Sequence, residues 1–502
     1  AIESIIIPDG IEELVGTFRY ATSLREVRLS DSVKSLHETF YGCMSLESIT
    51  IPANVEDITN AFVYCSDLKS ITVDENNAKY RSIDGVLFSK DGKELLLYPS
   101  NRGESTYTIP DGVTSISNNA FYECHGLREI TVPASLTNFS DTDLSQLPDI
   151  ETIIVEDGKP DFVTINEVLF SADKSILYNY PITKTDSTYQ VPDGTVTIDD
   201  NAFQNNTYIK SVVLPSSLRT IGDDAFYGCV NLESVTFNEG LESIGGSSFW
   251  LCISLKDVEF PQTLTELGSY AFHSCISLTD ITIPSGVKDM YGTFSGCVGL
   301  TSVTMLGVRA SIYAFEGCKN LESLSLPSTM EEFMDMRLVS LKTVTVSENN
   351  ANYKVVDGVL FSEDGKDLVL YPSALDRKDY TIPEGVETIC SCAFTYVNGL
   401  ETVTFPSTVK EMEEQAFYVC DLLRSVTFNE GFKNMEYAFY GCDSLVSVDI
   451  PSGVESLTYA FVDCDALESI DIPASVEDDI AAAREALMEA AAGADDELME
   501  KF

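Results

Sequence analysis

The stretch from Ala438 to Pro473, AFYGCDSLVSVDIPSGVESLTYAFVDCDALESIDIP, states one pattern twice: Phe439 and Cys442 return as Phe461 and Cys464, and Ile450-Pro451 returns as Ile472-Pro473. The unit, L-x-S-[IV]-x-[IFL]-P-x-x-V-x-x-[IL]-x-x-x-A-F-x-x-C, starts at Ile2, Leu24, Leu46, Leu68, Leu127, Ile150, Ile209, Leu232, Leu255, Leu278, Leu300, Leu321, Leu341, Leu400, Leu423, Leu445 and Leu467. A chain of 502 residues would ordinarily divide into several globular domains. A unit recurring about every 22 residues cannot bury its apolar face alone, so consecutive copies must stack into a solenoid.

Each part of the unit has a physical reading. In LESITIP (Leu46 to Pro52) the apolar residues Leu46, Ile49 and Ile51 point inward while Glu47, Ser48 and Thr50 point outward, the signature of a short strand. Proline removes a backbone donor and ends it. Stacked copies then make one parallel sheet, on the concave face, carrying columns of Ser and Thr. The period suits a leucine-rich repeat and is too short for helical hairpins. The return segments on the convex side are expected to be short helical, 3-10 or irregular.

Phenylalanine fills one column from Phe18, Phe40 and Phe62 through to Phe417, Phe439 and Phe461, and reads as a buried spine. Of the 13 cysteines, Cys43, Cys65, Cys124, Cys229, Cys252, Cys275, Cys297, Cys318, Cys420, Cys442 and Cys464 each follow a spine phenylalanine by three residues. Ala21, Leu147, Asn206, Leu338 or Val397 take the place elsewhere, as expected if the thiol serves as a small apolar filler. Stacked rungs offer one sulfur each, about 4.8 Å apart, with no histidine partner, so neither a metal site nor a regular disulfide ladder is expected. Cys390-Ser391-Cys392 is read as local packing.

Three repeats are enlarged by a common module. Leu68 to Ile116 matches Leu341 to Ile389 in length throughout, and Ile150 to Ile198 is a weaker copy. Two apolar runs around Lys90-Asp91-Gly92-Lys93 predict a β-hairpin, with insertions near 74–106, 156–188 and 347–379. Each module resumes the strand pattern, giving a solenoid of about 20 rungs over 1–476. The remaining 477–502 is alanine-rich, with Ile480, Ala483, Leu487 and Ala491 on one face behind Asp478 or Asp479, and is expected to form a helical cap.

Charge narrows the partners. With 80 acidic against 31 basic residues the chain carries a net charge of -49, which repels nucleic acid and anionic lipid and favours cationic partners. No apolar run is long enough for a membrane helix. The opening AIESIIIP is already mid-repeat, which reads as a trimmed or excised segment.

The units IPSGVKDMYGTFSGCVGLTSV and LPSSLRTIGDDAFYGCVNLESV, with the module DGVLFSKDGKELLLYP, resemble the BspA-like, or Treponema-type, leucine-rich-repeat proteins of bacteria and some protists. The resemblance spans about residues 1 to 476. It implies secreted or surface-attached proteins that bind host proteins or other cells, and no shared catalytic residues. An anaerobic habitat would reconcile unpaired cysteines with an extracellular location.

No catalytic, cofactor or metal residues are expected. His37, His125 and His273 fall in different repeats, and His273 reads as a half-buried packing residue. Asp199-Asp200 and Asp223-Asp224 read as solvated turns. Charged departures from the Ser/Thr carpet are the ligand-contact candidates: Arg25, Arg28, Lys256, Asp257, Glu259 and Asp280. The sheet face lacks the aromatic row that sugar stacking favours. The expected function is a non-enzymatic extracellular or cell-surface module binding a protein ligand, mediating interaction or adhesion; a glycan-binding or spacer role in a larger surface protein is the alternative.

Overall fold

The computed structural model describes residues 2–137, 149–156, 162–334, 338–430 and 432–471. The expected cap at 477–502 lies outside these residues, as does Leu147. The chain forms a β-solenoid in two compact units, Ala1–Ile253 and Ser254–Phe502. Among the described residues the return segments are turns, with no helix.

In the first unit the strands Ser4–Ile6, Glu26–Arg28, Ser48–Ile51 and Ser70–Val73 pair in parallel, Ser4 facing Glu26 and Ser48 facing Ser70. Their alternation is the expected one: Ile49 and Ile51 are buried while Ser48 and Thr50 are exposed. In the second unit Asp280–Ile283, Ser302–Met305, Ser323–Leu326 and Thr343–Val346 repeat the arrangement. Where a strand is followed by proline, as after Ser48–Ile51 and Asp280–Ile283, the proline carbonyl accepts from the amide three residues on, as in Val113 N to Pro110 O at 3.3 Å and Val287 N to Pro284 O at 3.3 Å. The P-x-x-V motif is therefore a closed turn.

The single sheet read from the sequence needs correction, because each coil contributes a second, shorter parallel column. Thr197–Ile198, Thr220–Ile221 and Ser243–Ile244 pair in sequence, as do Asp289–Tyr291, Ala310–Ile312 and Glu332–Met334. Near the start this column thins to the bridges Glu13 to Ser35 and Ser35 to Asp57.

The phenylalanines stack as expected. Ring centroids lie 4.6 Å apart for Phe203–Phe226 and 5.0 Å for Phe226–Phe249, both nearly parallel; in the second unit Phe394–Phe417 stands at 4.4 Å and Phe417–Phe439 at 5.1 Å. In the module rungs tyrosine takes the same place. Tyr98, Tyr180 and Tyr371 donate their amides to Ala120, Ala202 and Ala393, as Phe203 does to Ala225. Tyr180 stacks on Phe203 at 4.8 Å and Tyr371 on Phe394 at 5.0 Å. Each module is thus a full rung with a hairpin attached.

The hairpins are as predicted, with one more strand. Tyr80–Ile83 pairs antiparallel with Val86–Ser89 across a two-residue Asp84-Gly85 loop, both residues left-handed, and Val86–Ser89 pairs antiparallel with Glu94–Leu97 across the Lys90–Lys93 turn. Glu94–Leu97 then joins the second column beside Ser115–Ile116.

The return turns have their own periodicity. Residues two before and two after a spine aromatic have positive φ: Glu38 and Gly42 around Phe40 (50° and 74°), and Gln415 and Val419 around Phe417 (60° and 55°). This geometry aims alternate amides at the next rung, so Glu38, Phe40 and Gly42 donate to Thr59, Ala61 and Val63 at 2.9, 3.0 and 2.9 Å.

Candidate interaction surfaces

Parallel register stacks like on like over the outer strand face. Thr50 faces Thr72, and the hydroxyls of Ser211 and Ser234 lie 3.2 Å apart. Arg25 and Arg28 are exposed at Glu26–Arg28. Arg25 approaches Glu47 at 3.8 Å, and Lys69 reaches the same carboxylate at 2.7 Å from the other side. Lys69 first, then Arg25, hold Glu47 below the usual carboxylate range. Lys256, Asp257 and Glu259 are exposed, and Asp280 accepts from Ser302 Oγ at 2.5 Å and Thr301 Oγ1 at 3.3 Å. The six predicted residues therefore fall into two groups: the arginines in the first unit, the other four on two successive rungs of the second.

The thiols are more than filler. Cys43, Cys65, Cys229 and Cys252 donate Sγ–H to the carbonyls of Phe18, Phe40, Phe203 and Phe226, one rung back, at 3.1, 3.2, 3.0 and 3.2 Å. In the second unit Cys297, Cys318, Cys420 and Cys442 do the same to Phe272, Phe294, Phe394 and Phe417. The Phe40, Phe203 and Phe226 carbonyls already accept an amide within their own turns, Cys43 N to Phe40 O at 3.0 Å for example, so there the thiol uses the second lone pair. Asn206 at this position keeps the polarity: its Nδ2 donates to Pro181 and Lys184 carbonyls, and its Oδ1 accepts from Tyr208 and Ile209 amides. All 13 cysteines are free, and burial pushes the Cys43 thiol up to about 11 and Cys229 to about 12. Among the described residues no three His, Cys, Asp or Glu side chains are grouped to hold a metal.

In the Asp199-Asp200 and Asp223-Asp224 pairs, one carboxylate of each serves the backbone of the next coil. Asp200 Oδ1 accepts from Asp223 N at 2.7 Å and Asp223 Oδ1 from Gly246 N at 2.6 Å. His273 is half-buried against Tyr270, and burial lowers its pKa.

The return turns carry an aromatic edge that the sequence reading missed. Tyr20, Tyr41, Tyr64 and Tyr122 meet edge to face at 5.5, 5.1 and 5.0 Å. In the second unit Tyr270, Tyr291 and Tyr313 repeat the arrangement at 5.6 and 6.2 Å, and Tyr396, Tyr418 and Tyr440 form a third row at 5.8 and 5.3 Å. Tyr20 is 58% exposed. Tyr20, Tyr64, Tyr270, Tyr313 and Tyr396 are left-handed, at places where glycine or asparagine stands in other rungs. These tyrosines are spread over several positions of the repeat, so no single column of the sequence displays them.

With the geometry in hand, the comparisons are decisive on family. The model of the BspA type leucine rich repeat region matches residues 1–101, 98–189, 183–301, 291–363 and 372–480. The chain belongs to this family. A leucine rich cell surface protein from Faecalibacterium prausnitzii is similar in structure, with 30% identity, a TM-score of 0.54, and coverage of 63% of this chain and 89% of that one. The pneumococcal vaccine antigen PcpA follows at 20% identity and 0.47, covering 62% and 87%, and the Treponema pallidum leucine rich repeat protein at 30% and 0.29, covering 34% and 82%. No curated protein matches the chain. The BspA-type repeat thus accounts for the coil, the spine and the thiol column together. Among the described residues no helix is long and apolar enough to cross a membrane.

Proposed function

We propose that this BspA-type chain is a non-enzymatic binding module on a bacterial surface that captures protein partners, as in adhesion. The observation that carries the reading is the outer strand face: rows of exposed hydroxyls held in fixed register, interrupted by charge at Asp257, Glu259 and Asp280. An ordered surface whose rungs differ only in their outward side chains is suited to recognising an extended macromolecule. The similarity to a leucine rich cell surface protein supports the location.

Capture from host extracellular matrix and from mucin tests the proposal. Specific retention of a matrix protein, lost when Asp257, Glu259 and Asp280 are replaced by lysine, is the expected result. Retention of glycans alone would favour the second reading, glycan binding, for which the tyrosine rows provide rings.

A further inference from the structure

Where the strand face stacks like on like, two neighbouring columns stack opposites. The first is the residue after the leucine that opens each repeat: Glu3, Arg25, Glu47 and Lys69 in the first unit, Lys378, Glu401 and Arg424 in the second. The backbone sets these one rung apart. Arg25, Lys69, Glu401 and Arg424 donate their amides to the Glu3, Glu47, Lys378 and Glu401 carbonyls at 2.8, 2.8, 2.6 and 2.8 Å. Glu401 is held from both sides as Glu47 is, by Lys378 at 2.6 Å and Arg424 at 4.0 Å. The second column follows the valine of P-x-x-V. Lys34 donates its amide to Glu12 O and accepts that of Glu56, both at 2.7 Å, and its Nζ lies 2.7 Å from Glu12 Oε2. Glu387 sits likewise between Lys366, at 2.8 Å, and Lys410, whose amide it accepts at 2.9 Å.

Composition alone would not produce this. With 80 acidic against 31 basic residues, about half of the basic ones stand in these two columns. Among the described residues no acid follows an acid in either column. Where cations are neighbours they turn to acceptors of their own: Lys288 to the Ser285 carbonyl at 2.6 Å, Arg309 to Asp289 at 3.4 Å, and Lys433, after Lys410, onward to Glu455 at 3.0 Å.

Coils that share a strand, a turn, a spine ring and a thiol present nearly the same backbone joint to any neighbour. Stacking a coil on its next neighbour but one would satisfy the same amides. It would also set Glu3 against Glu47, Glu12 against Glu56, Lys378 against Arg424 and Lys366 against Lys410, and like charges placed directly opposite repel. We propose that the two columns specify the order of the coils: each coil accepts a neighbour of opposite charge and rejects the one beyond it, which guards a repetitive chain against looping out a coil as it folds. The inference is independent of what the strand face binds.

The test makes one pair of substitutions in two chains. In the full chain, Glu3→Lys with Glu12→Lys sets lysine against Arg25 and Lys34; in a chain lacking residues 24–45 the same pair meets Glu47 and Glu56. The urea midpoint is expected to fall by roughly 0.2 M in the first and to rise by a similar amount in the second, and both shifts are expected to shrink at high salt. The change in net charge is identical, so shifts of the same sign, or none in either chain, would overturn the inference. If circular dichroism shows the shortened chain unfolded, the full chain decides. Lys34→Glu, which lines up three carboxylates, is expected to lower the midpoint more than Lys319→Glu, the same change at an exposed position outside both columns. An equal or smaller loss would overturn it.

Discussion

Cys229 donates its thiol hydrogen to the carbonyl of Phe203 at 3.0 Å, one rung behind it. Both residues are fully buried. The bond crosses between coils, so it ties the thiol column to the phenylalanine spine. Replacing Cys229 with alanine removes the donor and leaves a small void, and is expected to cost about 1–2 kcal/mol, read from the urea midpoint. An unchanged midpoint would show that the thiol serves only as filler.

The same burial protects the sulfurs chemically. With Cys43 raised to about 11 and Cys229 to about 12 by desolvation, the thiolate is scarce at neutral pH in the native chain. Labelling by a disulfide reagent is expected to proceed at the rate of unfolding and to report all 13 cysteines only in denaturant. Rapid labelling of several thiols in the folded chain would contradict the inert column.

Val419 has a φ of 55°, a region costly for a β-branched residue, at the place where Gly42, Gly228, Gly296 and Gly441 stand in other rungs. Val419→Gly is expected to stabilise the chain by about 1 kcal/mol, the strain of a left-handed L-residue less the entropy of glycine. Thermal melting checks the sign.

Tyr371 occupies the spine at 1% exposure, and its hydroxyl has no partner. Phenylalanine fills this place in ordinary rungs. Tyr371→Phe is expected to raise stability by about 1 kcal/mol by removing a buried unsatisfied oxygen; a loss of stability in urea unfolding would mean that the hydroxyl is used.

In the second module's turn, Asp173 is held down to about 2, first by the Ser175 hydroxyl, then by the Ser175 amide and the Ser171 hydroxyl. Its folded pKa lies below the ordinary value of about 3.9. The stabilisation is therefore present above that value and lost as pH falls through it towards 2. Asp173→Asn is expected to flatten that part of the stability–pH curve, measured by denaturant unfolding across the acid range.

The coil, the phenylalanine and cysteine columns and the three modules were legible because each depends on residue identity at a fixed offset. The second strand column was not, since a pair such as Thr197–Ile198 is too short for alternation to register. The left-handed turns were half-written: glycine marks Gly42, but Tyr20 and Val419 adopt the same conformation against their intrinsic preference. For the surfaces, composition gave the Ser/Thr carpet and its charged exceptions. The tyrosine edge escaped because Tyr41 and Tyr64 approach at 5.1 Å from different positions in their repeats, a proximity set by the pitch of the coil.

Because amides, thiols and rings all make their bonds to the adjoining coil, every turn carries both halves of the joint it needs. Excision of one whole period, residues 24–45 for instance, is expected to bring Ser4 opposite Ser48 in place of Glu26 and Phe18 against Phe62 in place of Phe40, each meeting the equivalent position of the next coil. Such a chain can grow or shrink by duplication and loss of single periods while its fold persists, leaving the outward side chains free to diversify.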